Sequence, residues 1–254
     1  MMTIMLPAGL LINRLSILLT PRIPMKSMRS ITEQVYVSLR SDLIACRIKP
    51  GSKLRTIELR KRFGHSLSAV REALSRLSAD GLAVADPQRG FTAAPISAAD
   101  LTALAEAHMG IEALCIQRAL AVGDSSWEAQ LLARFDELTA VPIESHHLSF
   151  EWAAAYTAYE NALISACDNP WLMRLRATLS AQSERYRCMC LPAASLAPDP
   201  TRVLRDICHA AIERDVALTV SLVAKVRRLN TQRFIKVLEA GADNQRFRAI
   251  AGSS

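Results

Sequence analysis

Apolar residues recur at helical spacing in three short segments of the N-terminal third of the chain. The first segment begins with capping-box spacing at 30–33, and Val35, Leu39 and Leu43 follow at four-residue steps. These positions predict a helix with one apolar face. The helix ends before the turn expected at KPGSKL, residues 49–54.

Two more helices follow this turn. One begins at Thr56, and Gly64 occupies the place of a C-terminal cap. The next begins at Ser66 or Ser68, either of which supplies a capping hydroxyl, and ends before Gly81. Its inward stripe consists of Val70, Leu74 and Leu77.

The segment LAVADPQRGFTAA, residues 82–94, predicts two short strands around a turn at 87–90. Three helices followed by a hairpin make a winged helix-turn-helix domain over residues 30–95. The alternative is a helix-hairpin packing unit that serves protein contacts.

The charge is distributed unevenly along the chain. Residues 1–95 hold fifteen Lys and Arg against six Asp and Glu, a net charge of about +9, whereas residues 96–254 hold sixteen against eighteen. A basic N-terminal part joined to a faintly acidic C-terminal part favours a polyanionic partner for the first part. The alternative is a generic basic surface.

The predicted partner is double-stranded operator DNA. The start of the third helix suits a major groove, where hydroxyls and Arg71 meet phosphates and base edges, while the wing carries Arg89 to the minor groove or the backbone. Gly90 lets the backbone approach closely. The predicted DNA-binding residues are Arg55, Ser66, Leu67, Ser68, Ala69, Arg71, Gln88, Arg89 and Gly90.

The same stretch resembles the DNA-binding domain of GntR-family bacterial transcription regulators. The resemblance covers residues 31–95 and is carried by PGSKL, by the serine-led VREAL helix, by LSADGL and by the RG of the wing. Two positions depart from the family pattern. Leu67 stands where an arginine commonly reads bases, and Ala69 stands where proline is frequent. Leu67 leaves the base preference open, although it suits a thymine methyl group.

The rest of the chain predicts a mainly α protein, in which an all-helical bundle for effector binding and dimerisation occupies 96–240. Half of the residues are hydrophobic and only 5% are aromatic, a composition typical of helical proteins. A cap at Ser97 opens the first helix of the bundle. Further helices are expected at 125–140, 147–167, 170–190, 200–213 and 215–237. Residues 1–29 are expected to be a flexible basic arm or to follow a mis-assigned start, and 241–254 a disordered tail.

This second region resembles the all-helical ligand-binding domain, of the FCD type, in the FadR-like branch of the same family. YTAYENALISACDNPWL, residues 156–172, carries the resemblance. Many relatives hold a metal there with an aspartate and three histidines, and the resemblance places those positions at Tyr156, Glu160, Leu204 and Val226. Three of the four are not ordinary ligands, so no metal and no cofactor are predicted.

A small carboxylate effector, aromatic or acyl, is predicted instead. Trp152, Tyr156 and Glu160 lie four residues apart on one helical face, and His108 stands where relatives often place an arginine of the pocket. Arg227 or Arg228 would supply positive charge. The predicted effector-binding residues are His108, Trp152, Tyr156, Glu160, Leu204, Val226 and Arg227. The alternative is that Trp152 and Tyr156 are ordinary core residues with Glu160 at the rim.

The remaining patterns bear on the class of protein. The six cysteines show no secretory spacing, which favours a reduced cytoplasmic protein with buried thiols. No membrane partner is predicted, because Arg14 interrupts the apolar stretch between Pro7 and Pro21. Cys188 and Cys190 have no CxxC partner, and His146–His147 is expected to be a solvated loop pair.

Because no nucleotide-binding or hydrolase motif occurs, an enzyme is not expected. The prediction is a homodimeric repressor of a catabolic operon, with an architectural DNA-binding protein as the alternative.

Overall fold

The structure of the chain is a computed structural model that describes residues 30–143, 149–190 and 200–251. The predictions for 1–29, for His146 and His147, and for 252–254 lie outside the described residues. Among the described residues, no helix combines the length and the apolar character that a membrane span requires.

The N-terminal unit has the three predicted helices: α1 (Ile31–Ile44), α2 (Thr56–Phe63) and α3 (Leu67–Ala79). The Ser30 hydroxyl caps α1 by accepting from the Glu33 amide at 3.1 Å. Gly64 ends α2 in the left-handed conformation, at φ 66°. The stripes on α1 and α3 form one core with residues of the sheet. Its fully buried members include Val35, Leu39, Val70, Leu74 and Leu77.

A small antiparallel sheet completes this unit, with β1 (Lys53–Leu54), β2 (Ala83–Asp86) and β3 (Gly90–Ala93) in the order β1-β3-β2. The β2–β3 hairpin confirms the predicted wing. Strand β1 lies in the segment that we expected to form only a turn, and it pairs Lys53 with Thr92. A strand of two residues is too short to show an alternating pattern in the sequence.

The C-terminal unit is the expected helical bundle. It consists of α4 (Ala98–Val122), α5 (Ser125–Ala140), α6 (Phe150–Leu163), α7 (Pro170–Cys190), α8 (Pro200–Ile212) and α9 (Val216–Ala251). Ser97 caps α4, as predicted, by accepting from the Asp100 amide at 3.1 Å. The apolar core of this unit includes Ile116, Leu131, Leu138, Ile164 and Ala211.

The last helix differs from the sequence-based expectation. A disordered tail was expected from residue 241, but the backbone of 241–251 continues α9 without a break. The composition of this stretch explains the error. Gly241 alone costs a helix about 1 kcal/mol, which is not enough to end it, and no proline follows.

Candidate functional site

The start of α3 is an exposed polar surface. Ser66 is the N-cap of the helix, and its hydroxyl accepts from the Ala69 amide at 3.2 Å, so Ser66 rather than Ser68 makes the cap. Ser68 and Arg71 are exposed, and Leu67 is 36% exposed. The helix therefore presents a hydroxyl, a guanidinium and an apolar side chain near its N-terminus, where backbone donors and the helix dipole also favour phosphate.

The prediction that Ala69 binds DNA is wrong for its side chain. Ala69 is buried, and its amide donates to the Ser66 hydroxyl. A methyl group packed in the core cannot reach a base edge. Ala69 therefore belongs to the packing of α3 against the rest of the unit.

Four arginines of this unit fall into two groups, one bound to a carboxylate and one without such a partner. Arg47 and Arg62 both bind the buried Asp42 carboxylate, at 2.7 and 2.6 Å. Their hydrogen bonds and charges outweigh the effect of its burial and lower the pKa of Asp42. Arg71 and Arg89 have no ion-pair partner among the described residues, and both are exposed. These two arginines keep their charge available to an external anion.

Two further arginines of the unit do have carboxylate partners. Arg55 lies at the N-cap of α2 and bonds Glu58 at 2.9 Å, although its side chain remains 68% exposed. Arg76 bonds Glu33 at 2.9 Å and lies over the ring of Tyr36, so it joins α3 to α1. Arg76 thus stabilises the unit from the side of α3 that faces α1.

The tip of the wing is fixed by a carboxylate that the sequence analysis did not single out. The Asp86 Oδ1 atom accepts from the backbone amides of Gln88 at 2.9 Å and Arg89 at 3.1 Å. Gly90 follows at φ +84°, a conformation that favours glycine. The turn leaves the side chains of Gln88 and Arg89 exposed at the end of the hairpin.

The bundle contains a second polar site, a buried group of charged residues that we call the ionic cluster. It is assembled from α4, α6, α7 and α9. Its members are His108, Glu112, Glu160, Arg176, Glu184, Arg187 and Arg227. Three guanidinium groups thus face three carboxylates, and the charges balance if His108 is neutral.

Glu112 is the most deeply buried carboxylate of the cluster, at 2% exposure. Its Oε2 atom lies 3.0 Å from Arg176 Nε and 3.2 Å from His108 Nε2. Burial alone would raise its pKa, but the hydrogen bond from His108 and the charges of Arg176 and Arg227 lower the pKa of Glu112 to about 2. Glu112 is therefore ionised at neutral pH.

His108 is held in one tautomer by its neighbours. Arg227 Nη1 lies 3.0 Å from His108 Nδ1, and a guanidinium can only donate, so Nδ1 accepts and the ring proton is on Nε2, facing Glu112. The Ser183 hydroxyl also lies 2.9 Å from Nδ1. Burial lowers the pKa of His108, which keeps the imidazole neutral at pH 7.

Glu160 bridges two of the arginines at longer distances. Its Oε2 lies 3.3 Å from Arg187 Nη2, and its Oε1 lies 3.4 Å from Arg227 Nη2. Charge-assisted hydrogen bonds are normally about 2.7–2.9 Å long. Of the two carboxylates bound to Arg187, Glu160 is therefore the more loosely held, since Glu184 lies 3.0 Å from Arg187 Nε.

An aromatic surface adjoins the cluster. The rings of Trp152 and Tyr156 are stacked, with centroids 5.1 Å apart and planes 10° apart. The Arg187 guanidinium lies over Tyr156, 5.1 Å from the ring centroid. Apart from His108 Nε2, which faces Glu112 at 3.2 Å, three buried donors of the cluster and of this aromatic surface have no hydrogen-bond partner among the described residues: Trp152 Nε1, Arg176 Nη2 and Arg227 Nε.

The other predicted effector residues lie elsewhere. Leu204 is buried in the apolar core, where its carbonyl accepts from the Tyr159 hydroxyl at 3.0 Å, and Val226 packs against the same core. Arg228 is exposed, so Arg227 is the arginine that joins the cluster. We assign Leu204 and Val226 to packing.

The four positions that correspond to the metal ligands of the relatives do not fit a metal site. They are Tyr156, Glu160, Leu204 and Val226. Glu160 is the one carboxylate among the four, and it is already bound to two arginines, while Leu204 and Val226 carry no donor. Within the described residues, no three His, Cys, Asp or Glu side chains are grouped so that they would hold a metal ion. A divalent cation would also meet the positive charge of Arg187 and Arg227.

Five of the polar and aromatic residues around this site were predicted from the sequence, and several others were not. His108, Tyr156, Glu160 and Arg227 come together as predicted, with Trp152 beside them. The missed residues are Glu112, Arg176, Ser183, Glu184 and Arg187. His108 and Glu112 share a helical face at a spacing of four, which was a visible signal. The α7 residues gave none, because which face of α7 is buried depends on packing.

Comparisons with known proteins agree with this architecture. The family model described as bacterial regulatory proteins, gntR family, matches residues 31–92, and the FCD domain model matches residues 103–228. The HTH-type transcriptional regulator BphR of Paraburkholderia xenovorans is 34% identical over 169 residues, which cover 65% of this chain and 69% of that protein. The HTH-type transcriptional repressor GlaR of Escherichia coli is 28% identical over 194 residues, covering 74% of this chain and 88% of that protein.

Solved structures share the fold. E. coli McbR/YncC has a TM-score of 0.70 at 20% identity, covering 82% of this chain and 99% of that one. A GntR regulator from Rhodococcus sp. RHA1 has a TM-score of 0.65 at 21% identity, covering 81% of this chain and 97% of that one. The matching families are regulators rather than enzymes. The chain therefore belongs to the GntR family of bacterial regulatory proteins, as a DNA-binding transcription regulator with an FCD domain.

Proposed function

We propose that this regulator represses a catabolic operon and leaves its operator when a small aromatic or acyl carboxylate binds in the bundle. The observation that carries the proposal is the ionic cluster beside the stacked rings of Trp152 and Tyr156. The relative GlaR is a transcriptional repressor, which supports the direction of control. The protein would act in the cytoplasm, where bacterial operators are found.

The unpaired donors indicate what the ligand supplies. A buried polar group without a partner costs about 1–3 kcal/mol, and three such donors belong to the ionic cluster or to the ring of Trp152. Arg176 Nη2 and Arg227 Nε are cationic donors that suit carboxylate oxygens. Trp152 and Tyr156 suit a flat or apolar remainder, so the ligand is an anion at one end and apolar at the other.

For DNA, we propose that α3 enters the major groove and the wing contacts the neighbouring backbone or minor groove. Arg71, Ser68 and Leu67 would meet phosphates and base edges, and Arg89 would bind at the wing. Support comes from the exposure of these side chains and from the absence of an ion-pair partner for Arg71 or Arg89 among the described residues.

We propose a homodimer, because one winged unit reads few bases and two read a near-palindrome. Large apolar side chains stay exposed on adjacent helices of the bundle: Leu114 of α4 is 46% exposed, Trp171 of α7 69% and Leu175 of α7 50%. The Arg118–Asp168 ion pair, 2.7 Å long, lies close to them in the chain. A second copy covering this surface would remove it from water.

Isothermal titration of the full chain with benzoate, phenylacetate and hexanoate, and with the corresponding amides, tests the proposal. We expect a carboxylate to bind and its amide to fail, and we expect Arg227→Met to lose binding while Arg134→Met keeps it. Arg134 makes an exposed ion pair with Glu137 on α5 and serves as the matched control. Equal binding of acid and amide, or no binding of any acid, would contradict the proposal.

A further inference from the structure

Helix α7 contacts the ionic cluster and the DNA-binding unit with different residues. Toward the cluster, Arg176 bonds Glu112, Ser183 bonds His108, and Arg187 bonds Glu160. These positions are separated by seven and four residues, which places them along one helical face. Every contact here joins α7 to another helix of the bundle.

The other face of α7 holds the DNA-binding unit. Gln182 Nε2 donates to the Asp80 carbonyl at 3.0 Å, at the end of α3. The Arg185 guanidinium donates to the carbonyl of Ala94, the residue after β3, and the Cys46 thiol lies 3.4 Å from the Arg185 carbonyl. One short segment of α7 thus contacts three parts of the DNA-binding unit: the end of α3, the residue after the wing and the end of α1.

Arg185 is unusual at such a contact because its charged side chain is buried. Its side chain is 2% exposed, and its Nε has no hydrogen-bond partner among the described residues. Burial lowers the pKa of Arg185, which means that its charge is held at a cost. The Arg185 guanidinium is held by the Ala94 carbonyl and by Gln182 Oε1, the latter at 2.9 Å, so a shift of α7 alters the contact with the residue that follows β3.

The seam between α7 and the DNA-binding unit leaves room for movement. A cavity of about 110 Å³ lies between them, bordered by Tyr36, Asp80, Leu82 and Ala181. The contacts at Gln182 and Arg185 are directed hydrogen bonds rather than a continuous apolar interface. A seam of this kind shifts at lower cost than a close-packed core.

The charge balance of the cluster identifies the group that an anion would displace. The three arginines are already neutralised by Glu112, Glu160 and Glu184, so an added carboxylate leaves an unbalanced negative charge unless it replaces one of them. Glu112 and Glu184 each have an ion-pair contact of 3.0 Å, whereas the shortest contact of Glu160 is 3.3 Å. Its loss removes the ion pair that joins Arg187 of α7 to α6, although Arg187 keeps its bond to Glu184. Arg187 is two residues, about 3 Å along the helix axis, from Arg185.

We propose that Glu160 is an internal carboxylate that the effector displaces, and that α7 transmits the change to the DNA-binding unit through Gln182 and Arg185. This inference rests on the proposed function for the identity of the incoming anion. Because side chains on one continuous helix cannot shift independently, a displacement at Arg187 moves the groups that hold Asp80 and Ala94. Gln182 and Arg185 are positioning residues for the proposed DNA-binding surface, which consists of the start of α3 and the tip of the wing and is called the reading surface below.

Hydrogen–deuterium exchange on the full chain tests the coupling without any ligand. Arg187→Met removes the bridge to Glu160 and is expected to speed amide exchange at residues 80–82 and 93–97 by about tenfold. Arg134→Met is the matched control, since it removes an arginine from an ion pair on α5 and is expected to leave this seam unchanged.

A second variant keeps the test decisive. If Arg187→Met does not fold, Glu160→Gln, which keeps the size of the side chain, should raise the same exchange rates by about threefold. Exchange at the seam equal to wild type, with changes confined to the bundle, would overturn the coupling. That result would leave carboxylate binding intact, whereas failure of the titration with acids would leave the exchange result intact.

Discussion

The reading surface and the ionic cluster use arginine in opposite ways. At the reading surface Arg71 and Arg89 are exposed and have no carboxylate partner among the described residues. In the cluster Arg176, Arg187 and Arg227 are largely buried, and each lies beside a carboxylate. An exposed, unpaired arginine is available to a large polyanion. A buried, paired arginine is available only to a small anion that can enter the bundle and compete.

The difference between the two regions should have its largest effect on the free energy of unfolding. Arg176→Met would leave Glu112 ionised and buried with one arginine fewer, and we expect a loss of about 3–5 kcal/mol in the free energy of unfolding. Urea denaturation followed by circular dichroism measures it. The control, Arg134→Met, breaks an exposed ion pair and should cost no more than about 1 kcal/mol. Equal losses in the two variants would remove the distinction between buried and exposed pairs.

Low pH should lower the free energy of unfolding through the same buried carboxylate, Glu112. The pKa of Glu112 is lowered from 4.5 to about 2, so its stabilising contribution, about 3 kcal/mol, is complete above pH 4.5 and is lost as the pH falls through 2. Unfolding free energies measured between pH 7 and pH 2.5 should fall more steeply for wild type than for Glu112→Gln. Parallel pH profiles for the two proteins would show that Glu112 has an ordinary pKa.

At the reading surface, substitution should change affinity and leave stability alone. Arg71→Ala is expected to weaken binding by about 1–3 kcal/mol to a duplex selected from a random pool by the wild-type chain. The melting temperature should stay unchanged, because the side chain is exposed. A gel-shift titration at fixed salt measures the effect. Wild-type affinity in this variant would place Arg71 outside the interface.

The smallest effect is expected at the wing. Arg89→Ala should weaken binding to all duplexes alike and reduce the slope of log affinity against log salt by roughly 0.9, since one phosphate contact releases about that many counterions. Fluorescence anisotropy at several salt concentrations gives the slope. A changed preference at one base position with an unchanged slope would make Arg89 a base reader instead.

The sequence predicted the reading surface better than the cluster for a physical reason. The caps at Ser30, Ser66 and Ser97 and the wing turn depend on residues within four positions of each other, so their signals are local. Ala69 shows the limit of this reading. Ala69 was predicted to bind DNA, whereas the rotation of α3 buries its side chain.

The cluster depends on contacts between distant segments. Arg176 is 64 residues from Glu112, and Arg227 is 119 residues from His108. The pattern of apolar positions does not fix which face of α7 meets α4 and α6, because charged residues lie on the buried face as well. The predicted aromatic face of α6 was found, since Trp152, Tyr156 and Glu160 share a single helix.

If the proposed function is correct, a carboxylate competes for the buried arginines and thereby weakens DNA binding. The most direct measurement is the affinity of the full chain for its selected duplex, by fluorescence anisotropy, during titration with benzoate, phenylacetate and hexanoate and with their amides. We predict that at least one acid weakens DNA binding by about tenfold or more, a coupling of about 1.4 kcal/mol, and that its amide has no effect. Arg227→Met should abolish the response. An unchanged affinity with every acid, or an equal response to acid and amide, would contradict the account.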